Sequence, residues 1–279
     1  MRPLVAIPAR FAARASALRF GAEVAARALV EAVYRAGGEP WVLHPDMSDV
    51  ESRLSRCDAL LLPGGGDLAP HRYGAAAHSS VYDVDDSQDA FDLAAARHAL
   101  GRGLPTLAVC RGLHVVNVVL GGTLRQDMGG PHRHVVHPVA LRAGSVLASL
   151  CPTDKVEASC FHHQCVDRLA EGLEAVAWAT DGTIEAVELG AAASGPRFPS
   201  YDRGPTTPGR RATPTDRSHG SHPEEGGGRP PAPRDPAYSE PPTEPRRSRG
   251  GCGWFVAVQW HPEDNPDQWL FDAFVDAAR

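Results

Sequence analysis

Three residue types in this chain are spaced for nucleophilic chemistry. Cys110 stands in L-P-T-L-A-V-C-R-G-L-H-V-V-N, where an apolar strand-like run ends on the cysteine and an apolar helix-like run begins at once. A strand-to-helix turn of this kind is the nucleophile-elbow pattern. A thiol at a helix N-terminus sits in the positive end of the macrodipole, and Arg111 adds a neighbouring cation, so both favour the thiolate. Gly112 removes a side chain that would crowd the turn. Taken alone, the segment fits a buried cysteine at a strand end equally well. A nucleophile needs a base, and the base needs an orienting partner. Q-W-H-P-E at Gln259–Glu263 offers both: in an extended segment His261 and Glu263 project to one face, and Pro262 keeps the residue before it extended. Glu263 can then hold one imidazole nitrogen and leave the other to take a proton from Cys110. An isolated H-x-E also arises in surface turns; after a strand, and with a cysteine elbow upstream, it supports a Cys110–His261–Glu263 triad.

A third segment, A-L-L-L-P-G-G-G-D, is a strand that runs into three glycines. Bare backbone there can turn sharply and present N–H groups to a developing oxyanion or to a phosphate. No Gly-Lys-Ser/Thr follows, which excludes a phosphate loop of the Walker type.

The elements that must position these residues alternate in type. Leu4 to Ile7, Trp41 to Leu43, Ala59 to Leu62 and Leu104 to Val109 read as buried strands, with helices expected over Leu18 to Ala36 and Asp86 to Leu100. This alternation predicts an α/β fold with a mostly parallel central sheet and helices on both faces. In such a sheet the glycine turn and the cysteine elbow fall at the same, C-terminal edge of neighbouring strands, where ligands bind. The second half adds strand-like runs at Val135 to Leu141, Leu173 to Thr180, Thr183 to Leu189 and Trp254 to Gln259, and Asp267 to Ala278 reads as a closing helix. From about 191 to 253 the chain turns to Pro, Gly, Arg, Ser and Glu, without the apolar residues of a core. The expectation is a single domain, 1–279, interrupted there by a disordered insertion in a surface hairpin connection.

With 279 residues, 42% of them hydrophobic, the chain can bury one substantial core. A formal charge of -6 supplies no basic field for nucleic acid or anionic lipid, so a small-molecule partner is expected, with no nucleic acid and no membrane. The N-terminal residues lack the apolar core of a secretory signal, and no apolar run is long enough to span a bilayer, which predicts a cytoplasmic protein. The six cysteines, at 57, 110, 151, 160, 165 and 252, have neither disulfide-scaffold density nor C-x-x-C spacing. His132, His134 and His137 lack a cysteine or carboxylate at ligand spacing, so they read as a solvated loop and no metal is expected.

Together the three segments resemble the class I glutamine amidotransferase superfamily, and within it the γ-glutamyl-γ-aminobutyrate hydrolase (γ-glutamyl polyamine hydrolase-like) family. G-G-G-D-L-A-P-H-R-Y-G at Gly64–Gly74, C-R-G with N-V-V-L-G-G-T-L-R-Q-D between Cys110 and Asp127, F-H-H-Q at Phe161–Gln164 and Q-W-H-P-E carry the likeness. The resemblance implies a flavodoxin-like fold, a thioester on Cys110, His261 as general base and acid, and Glu263 as its orienter. It also implies an oxyanion hole of the Gly65 and Arg111 backbone N–H groups, a glutamyl group near His114, His162, His163 and Gln164, and no cofactor. The chain departs from the pattern at His114, where the superfamily usually has Gln, and at Ser159-Cys160, where the family has Asn-Ser.

The function implied is hydrolysis of the γ-glutamyl amide bond of γ-glutamyl amines, of the γ-glutamyl-GABA or polyamine type. Two alternatives stand beside it: a glutaminase subunit that supplies ammonia to a separate synthase, and a non-catalytic binding protein on the same fold. A homodimer is the assembly to consider.

Overall fold

The strands that lead into the glycine turn and the elbow are buried at every position and apolar but for Thr106, as strands covered on both faces require. The computed structural model describes residues 1–190, 198, 253–264 and 267–279. In chain order the elements are β1 (Leu4–Pro8), β2 (Arg10–Ala12), β3 (Ala22–Val24), α1 (Arg27–Arg35), β4 (Glu39–Leu43), α2 (Val50–Leu54), β5 (Ala59–Leu62), α3 (Asp86–Arg102), β6 (Thr106–Val109) and α4 (Arg111–Val119). They continue with β7 (Thr123–Arg125), β8 (Arg133–Leu141), α5 (Val146–Leu150), β9 (Lys155–Phe161), β10 (Cys165–Arg168), β11 (Leu173–Ala179), β12 (Ile184–Leu189), β13 (Phe255–Val258) and α6 (Gln268–Ala277).

One nine-stranded sheet runs β4-β1-β5-β6-β13-β12-β11-β8-β9. From β4 to β13 every neighbouring pair is parallel; from β13 to β9 every pair is antiparallel. Side chains of β5 and β6 alternate between two cores. Leu60, Leu62 and Ala108 join Phe91, Leu113 and Val116 of α3 and α4 on one face; Leu61, Leu107 and Val109 join Leu29, Val33, Phe271 and Phe274 of α1 and α6 on the other. The expected α/β fold with helices on both faces is the one observed.

Asp85 caps α3 by accepting from the Ser87 and Gln88 N–H groups, and Gly103, at φ +63°, ends it in the left-handed region. Helix α1 differs from expectation: it begins at Arg27 rather than Leu18. Ala22–Val24 instead pairs with Arg10–Ala12 as a hairpin. Leu18 and Phe20, at the start of the expected helix, are exposed, so no core is there to stabilise a helix. The expected insertion at about 191–253 lies almost wholly outside the described residues. The strands on either side of it, β12 and β13, pair antiparallel with Ala186 opposite Val258. Among the described residues no helix is long and apolar enough to cross a membrane.

Candidate active site

Cys110 leaves β6 and caps α4 with φ +51° and ψ −108°, a conformation that costs a non-glycine residue on the order of 1–3 kcal/mol. The surroundings hold it there. Its N–H donates to the Val258 carbonyl of β13 at 2.8 Å, and its own carbonyl accepts from Leu113 N–H at 3.0 Å. Helix α4 lies so close to β5 that a Cβ on Gly112 would stand 2.4 Å from the Leu62 carbonyl oxygen. Only glycine fits that contact. The elbow is therefore strained locally and fixed by three strands.

His261 follows β13, and its N–H donates to the Ser159 carbonyl at 2.8 Å. Its ring Nδ1 is 2.8 Å from Glu263 Oε1. A Cβ on Gly64 would lie 3.1 Å from His261 Cε1 and 3.7 Å from Cys110 Cβ, so one stretch of backbone touches both side chains. Burial by itself would lower the imidazole pKa. The negative charge of Cys110 and then that of Glu263 outweigh it and push His261 up to about 11. The three residues expected to act together are thus brought together, with Nδ1 of the ring turned to the carboxylate.

Arg111 is the first residue of α4, so its N–H belongs to the group at a helix start that has no intrahelical acceptor. Its side chain runs the other way, into the protein. There it pairs with Asp92 and, at 2.5 Å, with Asp89, both on α3 and both buried. Arg10 completes the group: Nη1 is 2.9 Å from Asp92, while Nε and Nη2 donate to the Gly64 and Pro63 carbonyls at 2.8 and 2.9 Å. Burial lowers the Arg10 pKa to about 10 against the pull of Asp92. Two arginines and two carboxylates thereby lock the glycine turn to the elbow and turn the Pro63 and Gly64 carbonyls toward Arg10. Gly65 must lack a side chain here, since a Cβ would meet Arg10 Nε at 2.8 Å and Arg111 Cδ at 3.2 Å. Sequence reasoning passed over Arg10, Asp89 and Asp92; two acids three residues apart on an otherwise apolar helix face were the available signal.

The four residues expected near a glutamyl group are all buried but are engaged differently. His114 Nε2 is 2.8 Å from Gln259 Oε1, and the Gln259 amide donates in turn to Cys110 Sγ at 3.8 Å. His114 therefore reaches the thiol through a second side chain. Burial lowers its pKa to about 3, which keeps it neutral. His163 Nε2 pairs with Asp67 at 2.9 Å and leaves Nδ1 without a hydrogen bond; Gln164 Nε2 is likewise unpartnered. His162 turns to a different group, with Nε2 3.5 Å from Glu185. His132, expected in a solvated loop, is buried instead, and Cys160, His162 and Glu185 stand beside it. The cysteine and carboxylate that sequence spacing did not offer come from β9 and β12. His134 is exposed and His137 half-buried, but both lie within strand β8 rather than in the expected loop.

A strained cysteine elbow at the end of a parallel strand, with a His–Glu pair just past the end of the neighbouring strand, is an arrangement able to support cysteine-dependent hydrolysis. The profile of the Peptidase C26 family matches residues 3–195, and the chain belongs to that family of class I glutamine amidotransferase-like hydrolases. Rv2859c of Mycobacterium tuberculosis, a candidate glutamine amidotransferase by its name, is 38% identical over 172 residues, covering 57% of this chain and 56% of its own length. The chain thus spans little more than half of that relative. The γ-glutamyl-γ-aminobutyrate hydrolase PuuD of Escherichia coli is 28% identical over 181 residues, 57% of this chain and 70% of its own length. Among solved structures, a candidate GMP synthase component from Thermoplasma acidophilum has the same fold, with a TM-score of 0.57 at 10% identity over 100% of this chain and 95% of that one.

Proposed function

We propose that this protein hydrolyses the γ-glutamyl amide bond of γ-glutamyl amines through a thioester on Cys110. The observation that carries the reading is the juxtaposition of a strained elbow thiol with His261, whose Nδ1 is held at 2.8 Å by Glu263. Cys110 attacks the γ-carbonyl carbon, and the oxyanion that forms is met by the backbone N–H groups of Arg111 and Gly65. His261 protonates the departing amine as the C–N bond breaks. It then takes a proton from water, which attacks the thioester and releases glutamate. Glu263 orients the ring and balances its charge. Each oxyanion donor could contribute about 3 kcal/mol to the transition state.

Of the candidate substrate residues, His163 and Gln164 are suited to direct contact because each keeps a buried nitrogen unspent. His114 acts at one remove, by holding the Gln259 amide against the thiol. The named activity of PuuD, a distant relative, supports γ-glutamyl amines as the substrate class. Mass spectrometry of products from a panel of γ-glutamyl amines and glutamine tests the reading. The expected result is that a γ-glutamyl derivative of an aminobutyrate or a diamine exceeds glutamine at least tenfold in kcat/KM, or about 1.4 kcal/mol. Equal or better hydrolysis of glutamine, stimulated by a co-purifying protein, would replace it with the ammonia-supplying role.

A further inference from the structure

Near the segment that carries His261 lies a second group of side chains that the hydrolytic chemistry does not use. His132 precedes β8, Cys160 is on β9, His162 follows it, and Glu185 is on β12; all four are at most 5% exposed. One donor atom from each lies within 4.8 Å of the other three. A tetrahedral zinc ion with bonds of about 2.0–2.3 Å needs donor separations near 3.3–3.8 Å, so side-chain shifts of about an ångström would close the set.

The outer nitrogens of both histidines are already occupied. His162 Nδ1 is 3.0 Å from the Gln164 carbonyl, which can only accept, so Nδ1 carries the hydrogen and Nε2 is left as a bare lone pair. His132 Nε2 is 3.0 Å from the Asp181 carboxylate and Nδ1 is 3.0 Å from Glu185, so an ion bound at Nδ1 would take the place of a proton shared with that carboxylate. These inner nitrogens face the same carboxylate oxygen, Glu185 Oε1, at 3.5 Å from His162 and 3.0 Å from His132. Neither His162 Nε2 nor Glu185 Oε1 makes a hydrogen bond of acceptable geometry. Cys160 Sγ stands 3.8 Å from Glu185 Oε2. His137 Nε2 also approaches His132 Nδ1, at 3.2 Å. A buried carboxylate needs a positive charge beside it, which either a proton on His132 or a metal ion among the four donors supplies, and a histidine held from outside by a carboxylate or carbonyl is the usual form of a metal ligand.

The geometry points to a buried divalent-metal site of the zinc type, ligated by His132 Nδ1, Cys160 Sγ, His162 Nε2 and Glu185. Two imidazoles, a thiolate and a carboxylate match the ligand preferences of zinc or cobalt rather than of magnesium or calcium. The site requires nothing of the hydrolytic reading. Its place suggests a brace: the Glu185 carbonyl accepts from Gln259 N–H at 2.7 Å, and the Ser159 carbonyl accepts from His261 N–H. An ion there would clamp β9 and β12 directly behind the two backbone bonds that seat Gln259 and His261.

The test uses the full chain carrying Cys110→Ser, so that the elbow thiol cannot bind metal itself. After removal of metal with a chelator, Co²⁺ is titrated in and followed by absorbance, and zinc content and melting temperature are measured in parallel. The expected result is one equivalent bound, with a thiolate-to-cobalt charge-transfer band and a rise of several degrees in melting temperature with Zn²⁺. Adding Cys160→Ser should remove the band, and Glu185→Gln should weaken Co²⁺ binding at least tenfold. Absence of stoichiometric binding in the Cys110→Ser protein, or a band that survives Cys160→Ser, would overturn the site. Because that background has no nucleophile, the result is independent of whether the hydrolytic reading holds.

Discussion

The two halves of the sheet use histidine and charge in opposite ways. In the parallel half, the Arg10–Asp92–Arg111–Asp89 group and the His261–Glu263 pair satisfy their charges internally, and the elbow between them holds Cys110 at positive φ. In the antiparallel half, His132 and His162 both turn ring nitrogens to the one buried carboxylate of Glu185, and His162 Nε2 is left without a hydrogen bond. The difference teaches where each function can sit. A reacting group needs a scaffold whose charges are already balanced, so that only the thiol responds to substrate. The antiparallel half leaves a balance that an ion can complete.

The comparison breaks most sharply at the thiol. Cys110→Ser should abolish turnover while leaving the circular-dichroism spectrum and melting temperature close to those of the parent, because the hydroxyl is a far weaker nucleophile in a site arranged for sulfur. Activity within tenfold of the parent would remove Cys110 from the mechanism. Asp92→Ala should come next. It leaves the buried Arg111 and the partly buried Arg10 sharing one carboxylate, and loss of a partner from a buried pair costs about 3–5 kcal/mol. Urea unfolding would register it; a change below about 1 kcal/mol would mean that solvent already screens the group.

Within the His–Glu pair, Glu263→Gln should reduce kcat less than His261→Ala, since an amide still holds the ring but cannot balance its charge. The reverse order would move the orienting role to another residue. At neutral pH the smallest effect is expected at His114. Its folded pKa, lowered by burial to about 3, lies below the value near 6.5 of an unfolded histidine. Between those values the unfolded chain holds a proton that the folded chain does not, so this residue's contribution to stability falls as pH drops from 6.5 toward 3. His114→Gln, which can still meet the Gln259 amide, should flatten the acid side of the melting-temperature profile by up to one proton's slope, about 1.4 kcal/mol per pH unit. An unchanged profile would mean that water reaches the ring.

Much of the parallel half was legible in the sequence. The runs Leu4 to Ile7 and Ala59 to Leu62 become β1 and β5 with at most one residue of difference, and the elbow and Q-W-H-P-E segments fall at adjoining strand ends. These features are legible because a doubly covered strand must be apolar along its whole length, and because each motif is one continuous piece of chain. The boundary of α1 was not legible, since nothing in Leu18 or Phe20 reveals that no core waits to receive them. The Arg10–Asp92–Arg111–Asp89 group and the cluster around His132 were closed to sequence spacing for a different reason. Their members come from separate elements, and pairing of β1, β5 and β6, or of β8, β9 and β12, decides which side chains meet. The sequence determined which segments carry the candidate nucleophile and base and the kind of sheet that brings them together. Only the tertiary structure decided what holds them still, because burial removes the water that would otherwise satisfy each charge and leaves neighbours from elsewhere in the chain to do so.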